Sequence, residues 1–519
     1  MKPTAMRRGH SRTERAIEPD LPRGGAFRSF CRVVCDWIEV SPTGLLRAFS
    51  TCALLFSVGC AVGPNYVRPT TVEPAPAFRE IEGWQPAQPK DDTLRGPWWE
   101  MFEDPELSAL EERIEGSNQT LATAEAQFRE ARALVNVAEA AFFPTATVGV
   151  GVTRSLSSST FSAGTFTPQG TRMVYSLPLD ISWQLDVFGA IRRNVEANGA
   201  SAQASAAAVA LSRLTLQTEL AVDYFQLRTL DAQMQLLNDT ATGYQKSLEL
   251  TENRYNAGVA ARTDVAAAET QLKTTQAQAI DVGVQRAQLE HAIAALIGES
   301  ASTFSLAPAP LNLNATPPPV PIGVPSELLE RRPDVAQAER TVAAANAQIG
   351  VAIAAYFPTL TLSATGGLET GDTSQWFNIA ASRFWSVGPT VTQTIFDGGL
   401  RNAQTAQARA TYDATVASYR STVLTGFQQV EDNLAALRIL ESEAEVQADA
   451  VKAADTSVVL TINQYKAGTL NYIDVVTVQA IALSNKINAL NVLGRRMTSC
   501  VQLIQALGGG WNTGDLPSL

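Results

Sequence analysis

Residues 464–476 read QYKAGTLNYIDVV, and residues 254–266 read RYNAGVAARTDVA. Each stretch carries a tyrosine, a glycine three residues later and an aspartate six residues after that glycine. Both stretches lie inside long tracts rich in alanine and leucine, which otherwise favour uninterrupted helix. Because glycine weakens a helix and permits a tight bend, the sequence predicts a helical chain that turns back at two matching places.

Other segments also occur twice, in the same order along the chain. Each half is predicted to run helix, strand, loop, strand, long helix, break, helix, so the chain is a duplication with a period of about 210 residues rather than a solenoid of short repeats. The matching pairs are AEAAFFPTATVGVG (138–151) with AIAAYFPTLTLSATG (352–366), LDVFGAIRRN (185–194) with TIFDGGLRNA (394–403), and ALIGES (295–300) with QALGGG (505–510).

Four segments alternate between apolar and polar residues in the manner of β-strands. In YSLPLDISWQLDV (175–187), the odd-numbered residues are apolar and the even-numbered residues are mostly polar. The other three are TATVGVGVT (145–153), TLTLSAT (359–365) and WSVGPTVTQTI (385–395). Runs of about 9–13 residues suit tilted strands that cross an outer-membrane bilayer. A half-buried sheet in a soluble protein alternates in the same way.

The loops that follow the first strand of each pair favour the membrane interpretation. Residues 154–172 and 366–383 are polar and rich in Gly, Ser and Thr, as exposed extracellular loops are. Four strands cannot close a barrel, and an open edge in lipid leaves backbone groups without partners. Membrane-spanning strands would therefore be pooled between copies, giving 8 strands in a dimer or 12 in a trimer.

The predicted helices are unusually long. No proline occurs between Pro178 and Pro308 or between Pro389 and Pro517. The tracts 190–256 and 400–466 would each span roughly 100 Å as helix, and a helix of about 35 residues follows each break. Helices of this length exceed any compact core, so they are expected to pack along their length in coiled-coil fashion.

The N-terminal region resembles a secretory signal. Residues 45–60, LLRAFSTCALLFSVGC, carry one arginine and a short apolar run that ends in Gly59-Cys60. A cysteine after a small residue at this position resembles the bacterial lipobox, in which the cysteine is lipidated. Ser57 stands where that pattern prefers leucine, and an ordinary signal with an incidental cysteine is the alternative. Residues 1–40 are an atypical extension, too long and too mixed in charge for a normal start.

Composition excludes several kinds of function. Only two histidines occur, His10 and His291, which argues against a His-based catalytic triad or a multi-His metal site. Four of the five cysteines precede residue 61, so the body of the chain has no disulfide framework. The chain carries a net charge of −11, and the segment before Cys60 is net basic, so the remainder is more acidic still. Such a chain is a poor partner for nucleic acid.

Together these features resemble the TolC-like outer-membrane factor family, in particular its lipoprotein (NodT/OprM-like) branch found with RND-type efflux systems. The resemblance runs from Cys60 to about Trp511 and rests on CAVGPNYVRP (60–69), on ELLERRPDVAQAERTVAAANAQIGVAIAAYFPTL (327–360) and on the two Tyr-x-x-Gly breaks. It implies an α+β membrane protein: a homotrimeric 12-stranded β-barrel, with four strands per chain, continued by a long α-helical coiled-coil tunnel in the periplasm.

The resemblance also implies a domain order, a location and partners. The protein would lie in the cell outer membrane, anchored by a lipid on Cys60, and dock a periplasmic adaptor protein that links it to an inner-membrane RND-type transporter. No other cofactor is implied. The predicted order is a signal peptide (1–59), a lipid-anchored proline-rich strap (60–103), a first repeat (104–307), a proline-rich linker (308–326), a second repeat (327–510) and a tail (511–519).

By residue match, the two breaks would form the periplasmic gate of the tunnel. Asp474 occupies the position that rings the constriction with carboxylates, and a ring of like charges attracts cations and is blocked by them. Asp264 and Tyr465 match positions that hydrogen-bond between neighbouring helix pairs, and Tyr465, just before its turn, is expected to reach Asp264 in the other break. The remaining gate residues are Tyr255 and Thr263, and the turn residues implied in adaptor docking are Gly258, Val259, Gly468 and Thr469.

Two positions depart from the family pattern. Thr477 stands where a second acidic residue is often found, and Leu470 replaces an arginine that links the gate, so the acidic ring and the latch are expected to be weaker unless Arg262 substitutes. Without the family, an ordinary helix turn with a solvated aspartate would be the favoured explanation of the motif. The predicted function is an exit duct for small toxic compounds such as drugs.

Other functions fit the sequence less well than an exit duct. Ducts for type I protein secretion or metal-ion efflux are the alternatives within the family. Six methionines and the absence of a histidine cluster argue mildly against dedicated soft-metal transport. An adaptor would have one helical hairpin and a lipoyl-like β region. An enzyme is the weakest alternative, because Asp180, Asp186 and Asp397 lack a base or nucleophile partner.

Overall fold

The computed structural model describes residues 61–71, 78–81, 96–156, 171–312, 315–320, 328–376 and 378–518. The predicted signal peptide and Cys60 lie outside the described residues. The helices are α1 Pro105–Ser117, α2 Gln119–Ala140, α3 Ala190–Asn256, α4 Arg262–Leu296, α5 Leu328–Arg331, α6 Pro333–Ala354, α7 Ile379–Ser382, α8 Leu400–Lys466 and α9 Tyr472–Ala506. The strands are β1 Thr145–Val148, β2 Gly151–Ser155, β3 Arg172–Leu185, β4 Thr359–Thr370 and β5 Arg383–Thr392.

The two long helices match the predicted tracts. Helices α3 and α8 each contain 67 residues, and α4 and α9, which follow the two breaks, each contain 35 residues. Each long helix packs against the shorter helix that follows it, and α3 also packs against α9. At 1.5 Å per residue a 67-residue helix is roughly 100 Å long. The chain therefore contains two antiparallel hairpins, α3–α4 and α8–α9, that lie side by side.

Polar side chains fix where the helices begin. Asp104 caps α1 by accepting hydrogen bonds from the backbone N–H groups of Glu106 (3.0 Å) and Leu107 (3.1 Å). At the start of α3, Asp186 accepts from the backbone N–H groups of Ile191 and Arg192, both at 3.0 Å. A carboxylate at this end of a helix is also favoured by the helix dipole. The change from strand to long helix is therefore specified locally.

The strands form one antiparallel sheet in the order β1/β2–β3–β4–β5. The predicted strand 145–153 is divided into β1 and β2, which both pair with β3 in the same register. The division lies opposite Pro178, because proline has no N–H to donate to the neighbouring strand. The predicted strand 385–395 ends earlier, at Thr392. Strands β1/β2 and β5 each pair on one side only among the described residues, so the sheet has two open edges.

The sheet has one apolar face and one polar face, as the alternation predicts. Registered rows such as Val148–Leu179 and Ala364–Val387 place apolar residues side by side. Large side chains on this face are exposed, with Val148 at 73% and Trp385 at 56%. Exposed apolar surface of this extent marks contact with a membrane or another protein. Among the helices of the described residues, none is both long enough and apolar enough to cross a bilayer.

The largest core lies midway along the hairpins, where α1 and residues 98–102 pack against α3, α8 and α9. A buried ionic network holds the segment that leaves α4 against this core. Asp231 accepts from Arg228 Nη1 (3.0 Å), Arg286 Nε (2.6 Å) and the backbone N–H of Ala309 (3.0 Å). Each guanidinium also donates to a backbone carbonyl of that segment, Ala307 for Arg228 and Leu306 for Arg286.

Residues 61–71 follow an extended path along the outside of the helices. Val62 N–H donates to the carbonyl of Phe188 (3.1 Å), and Ala61 lies so close to Gly189 that a Cβ there would be 2.6 Å from the Ala61 Cα. Further along, Arg420 donates to the carbonyl of Thr70 (3.1 Å). The segment therefore starts where the sheet meets α3 and runs down α8, away from the sheet.

Candidate functional site

The two hairpins turn at glycines that take the left-handed backbone conformation. Gly258 has φ +76° and Gly468 has φ +81°, which a residue with a Cβ adopts only with strain. After α3, Val259 N–H donates to the carbonyl of Arg254 (2.9 Å), and Gly258 N–H donates to that of Tyr255 (2.8 Å). These paired bonds are the Schellman motif that ends a helix. A Cβ would meet no atom within 4 Å at either glycine, so conformation alone requires glycine.

The second turn is built in the same way. Thr469 N–H donates to the carbonyl of Gln464 (3.1 Å), and Gly468 N–H donates to that of Tyr465 (3.0 Å). The Thr469 hydroxyl adds a further bond to the Gln464 carbonyl at 3.0 Å. Val259 and Thr469 are both exposed at the ends of the hairpins. The turn residues predicted from the repeat therefore occupy equivalent positions at two adjacent tips.

A separate apolar cluster joins the two tips. Tyr465 and Tyr472 contact edge to face, with their ring centroids 5.3 Å apart, and both are almost fully buried. Burial raises the pKa of Tyr472 to about 12, so its phenol stays neutral at physiological pH. The cluster is isolated from the mid-hairpin core and comprises Ala241, Tyr244, Leu248, Ala268, Leu272, Tyr465, Tyr472 and Val475.

Arg254 forms the polar link between the two hairpins. Its Nη1 donates to the backbone carbonyl of Tyr465 at 3.0 Å, and its guanidinium carbon lies 4.5 Å from the centroid of the Tyr465 ring. Both contacts involve the last turn of α3 and the last turn of α8. A cation over an aromatic face is attracted by the ring quadrupole. Arg254 therefore holds the tip of one hairpin to the tip of the other.

The sequence prediction missed Arg254, although the repeat contains a signal for it. The two breaks begin RYNAG and QYKAG, so Arg254 in the first half corresponds to Gln464 in the second. The matching tyrosines also differ, because Tyr465 is 4% exposed while Tyr255 is 42% exposed. When one repeat has an arginine where the other has a glutamine, the two positions are expected to contact different partners. The tips are therefore asymmetric although their turns are alike.

The two aspartates of the motif have different surroundings. Asp264 accepts from the backbone N–H of Ala261 at 3.3 Å and so caps its own helix α4. Asp474 lies exposed in the first turn of α9, and its carboxylate forms no hydrogen bond or ion pair with the described residues. Thr263 and Arg262 are also exposed at the start of α4. Asp474 is thus the carboxylate of this pair that is available to ions or to another chain.

One expected contact is not formed within the chain. Tyr465 was expected to reach Asp264, but the Tyr465 phenol is buried and has no hydrogen-bond partner among the described residues. Packing explains the difference, because the Tyr465 ring lies between Tyr472 and Arg254. Leu470 is half-buried, and the Thr477 hydroxyl donates to the carbonyl of Ile473 at 2.8 Å in its own helix. Arg262 forms no ion pair with any described residue.

An amphipathic sheet with two open edges continues into two long hairpins whose tips are joined by the Arg254–Tyr465 contact. This architecture is that of one subunit of a membrane channel. Two segments of the chain match the family model described as outer membrane efflux protein, residues 110–299 and 324–509. The chain belongs to the outer membrane efflux protein family.

Named relatives are similar along nearly their whole length. The solvent efflux pump outer membrane protein SrpC of Pseudomonas putida is 31% identical over 464 residues, covering 89% of this chain and 97% of SrpC. Outer membrane protein OprJ of Pseudomonas aeruginosa is 29% identical over 475 residues, covering 90% of this chain and 97% of OprJ. These matches cover about the same part of the chain as the predicted resemblance, which runs from Cys60 to about Trp511.

Solved structures have the same fold. The outer-membrane channel OprN superposes with a TM-score of 0.80 at 30% identity, covering 87% of this chain and all of that chain. The open state of the Neisseria gonorrhoeae MtrE outer membrane channel superposes with a TM-score of 0.75 at 26% identity, covering 88% of this chain and all of that chain. The chain is therefore an outer-membrane exit duct of an efflux pump that extends into the periplasm, which confirms the predicted duct and its predicted place in the outer membrane.

Proposed function

We propose that the duct is a homotrimer whose three sheets join into one 12-stranded barrel above a common helical tunnel. The open edges of the sheet support strand pairing between copies, because unpaired backbone groups in lipid cost several kcal/mol each. The edges alone would allow a dimer or a trimer, and the resemblance to the TolC-like family favours the trimer, in which β1 and β2 together count as one of four strands per chain. Pairing β5 of one copy with β1–β2 of the next removes every such edge. The exposed apolar face, including Val148 and Trp385, would then face lipid.

The tips of the hairpins are proposed to close the tunnel at its periplasmic end. In a trimer, three copies of Asp474 lie near one axis and form a ring of negative charge. Its exposure and lack of an ion-pair partner among the described residues support this role. The Arg254–Tyr465 contact then holds each pair of hairpins in the closed arrangement. The exposed turn residues Val259 and Thr469 are proposed to contact the adaptor.

The exported substrates are proposed to be small toxic compounds such as drugs or solvents. Relatives at this level of similarity are named as outer membrane proteins of solvent, toluene and antibiotic efflux pumps. The partners are accordingly a periplasmic adaptor and an inner-membrane transporter of the RND type. A duct for type I protein secretion or for metal ions is the alternative, and comparing the compounds and metals to which a deletion strain becomes sensitive separates these substrate classes.

Cys60 is proposed to carry a lipid that anchors the chain to the outer membrane. The position of the next residue supports this proposal, since Ala61 packs against Gly189 where the sheet passes into α3. A lipid attached one residue earlier would lie near the inner surface of the bilayer. Mass spectrometry of the mature N-terminus is expected to show an acylated cysteine, whereas an unmodified Cys60 or a different first residue would refute the anchor.

The role of Asp474 is tested by its effect on ionic current. The purified protein in a planar bilayer is expected to conduct ions and to be blocked by divalent cations on the periplasmic side. Asp474→Asn should weaken the block at least about tenfold, because a ring of three carboxylates loses its charge. Asp264→Asn is the matched control, since Asp264 caps its own helix. Equal block in Asp474→Asn and the unsubstituted protein would remove Asp474 from the constriction.

A further inference from the structure

The way in which the two halves of one chain pair predicts how one copy of the chain pairs with the next. Within the chain, a strand of the first half pairs with a strand of the second half, and this pairing is called here the join within the chain. Strands β1/β2 and β3 come from the first half of the chain, and β4 and β5 come from the second half. The pairing of β3 with β4 is therefore a contact between two similar halves. A homotrimer needs the same contact between β5 of one copy and β1–β2 of the next.

The two halves correspond residue by residue in their strands. In the first half Ala146 lies opposite Ile181, and in the second half Leu360 lies opposite Val391. The Phe-Pro-Thr sequences at residues 143–145 and 357–359 align Ala146 with Leu360. It follows that Val391 in β5 corresponds to Ile181 in β3.

The join within the chain then fixes the register of the join between chains. Ile181 lies opposite Ala364 across the β3–β4 pair. The residue of the first half that corresponds to Ala364 is Val150. We infer that β5 of one copy pairs antiparallel with β1–β2 of the next copy in the register that places Val391 opposite Val150, an inference that rests on the proposed homotrimer.

The chemistry of both edges agrees with this register. Val391 is 66% exposed and Val150 is 74% exposed, and both belong to the apolar face of the sheet. A shift by one residue would turn the apolar residues of one strand toward the polar face of the other. The register also places Pro389 opposite Val152 of the next copy, which continues the apolar face across the seam.

Aromatic residues at the end of the sheet that continues into the helices provide a second observation in favour of this register. At the join within the chain, Phe188 after β3 stacks on Phe357 before β4, with ring centroids 4.8 Å apart. Phe357 corresponds to Phe143, which is 69% exposed, and the segment after β5 presents Ile395 at 93% and Phe396 at 88%. In the inferred register Phe143 of the next copy lies opposite Gly398, two residues after Phe396 and three after Ile395. The exposed apolar side chains of the two copies are thus brought to the same end of the seam, where they can cover one another.

Cysteine cross-linking tests the register. Residues directly opposite in a sheet have Cβ atoms about 4.5–5.5 Å apart, whereas diagonal neighbours are about 7–8 Å apart, and a disulfide needs about 3.5–4.5 Å. Oxidation of the double variant Val150→Cys/Val391→Cys is therefore expected to give mainly disulfide-linked trimers on a non-reducing gel. The shifted pairs Val148→Cys/Val391→Cys and Val152→Cys/Val391→Cys should link at least about tenfold less.

The pair Ile181→Cys/Ala364→Cys is the matched control, because it spans the join within the chain and should form a disulfide without any increase in mass. A shifted pair that links best would overturn the register. If no pair links, light scattering of the detergent-solubilised protein distinguishes two conclusions. A trimeric mass would mean that the copies meet elsewhere and the inferred seam is wrong, and a monomeric mass would reject the homotrimer itself.

Discussion

An Arg254→Ala duct is expected to stay open far longer than the unsubstituted protein. The substitution removes a hydrogen bond from a charged group, worth about 1.5–3 kcal/mol, and a cation–π contact worth about 0.5–2 kcal/mol. A closed state weakened by about 2–4 kcal/mol shifts the ratio of open to closed channels by about 30-fold or more. Single-channel recording in planar bilayers measures this ratio directly.

The duplicated sequence offers a matched control for this experiment. Gln464→Ala changes the residue that corresponds to Arg254 in the other hairpin, and the Gln464 side chain is exposed. Its open probability is expected to match that of the unsubstituted duct. Arg254→Lys keeps the charge over the Tyr465 ring but loses the planar guanidinium. Its open probability should therefore lie between that of the unsubstituted duct and that of Arg254→Ala. An open probability unaffected by Arg254→Ala would show that the two hairpins are held closed by other contacts.

Asp231→Ala is expected to destabilise the protein strongly, although it changes no apolar core residue. Asp231 is 4% exposed and accepts hydrogen bonds from Arg228 and Arg286. Arg228 keeps Glu106 and Arg286 keeps Glu290 as second partners, but both of these carboxylates are more exposed than Asp231. Losing the most buried member of the network is therefore expected to cost about 3 kcal/mol, the lower end of the range for breaking a buried ion pair. The free energy of unfolding should fall by that amount, and the midpoint of guanidinium denaturation measures the change.

Asp449→Ala is the control for this effect. Asp449 also pairs with a cation three residues away, but the Asp449–Lys452 pair has side chains that are 80% and 79% exposed. Such exposed pairs contribute only about 0.2–1 kcal/mol, so the unfolding midpoint should hardly move. Equal shifts for Asp231→Ala and Asp449→Ala would mean that the network around Asp231 does not hold the segment after α4 to the core.

The elements with strong periodicity were predictable from the sequence. The tracts 190–256 and 400–466 lack proline and are rich in helix-forming residues, and both form continuous helices with those bounds. The alternation in 175–187 likewise predicted which side chains share a face of the sheet. These properties depend on local sequence, so they can be predicted from the sequence alone.

The arrangement at the tips was less predictable, because it depends on contacts between distant segments. The motif around Tyr255 is nearly the same as the motif around Tyr465, yet one tyrosine is exposed and the other is buried. Which copy is buried depends on how α3 packs against α8 and α9, and no local pattern specifies that packing. The same reason explains why the sequence pattern did not reveal the contact of Arg254 with Tyr465.

The open edges of the sheet have a consequence for how the protein reaches its membrane. Among the described residues, β1/β2 and β5 each pair on one side only, so a single copy entering the bilayer would expose a row of unsatisfied backbone groups on both sides of its sheet. In the proposed homotrimer, insertion and assembly would then be one event, whose rate would rise steeply with the number of copies present. A copy with a defective edge would block its normal neighbours as well, so such a defect would behave as a dominant one in a cell that makes both forms.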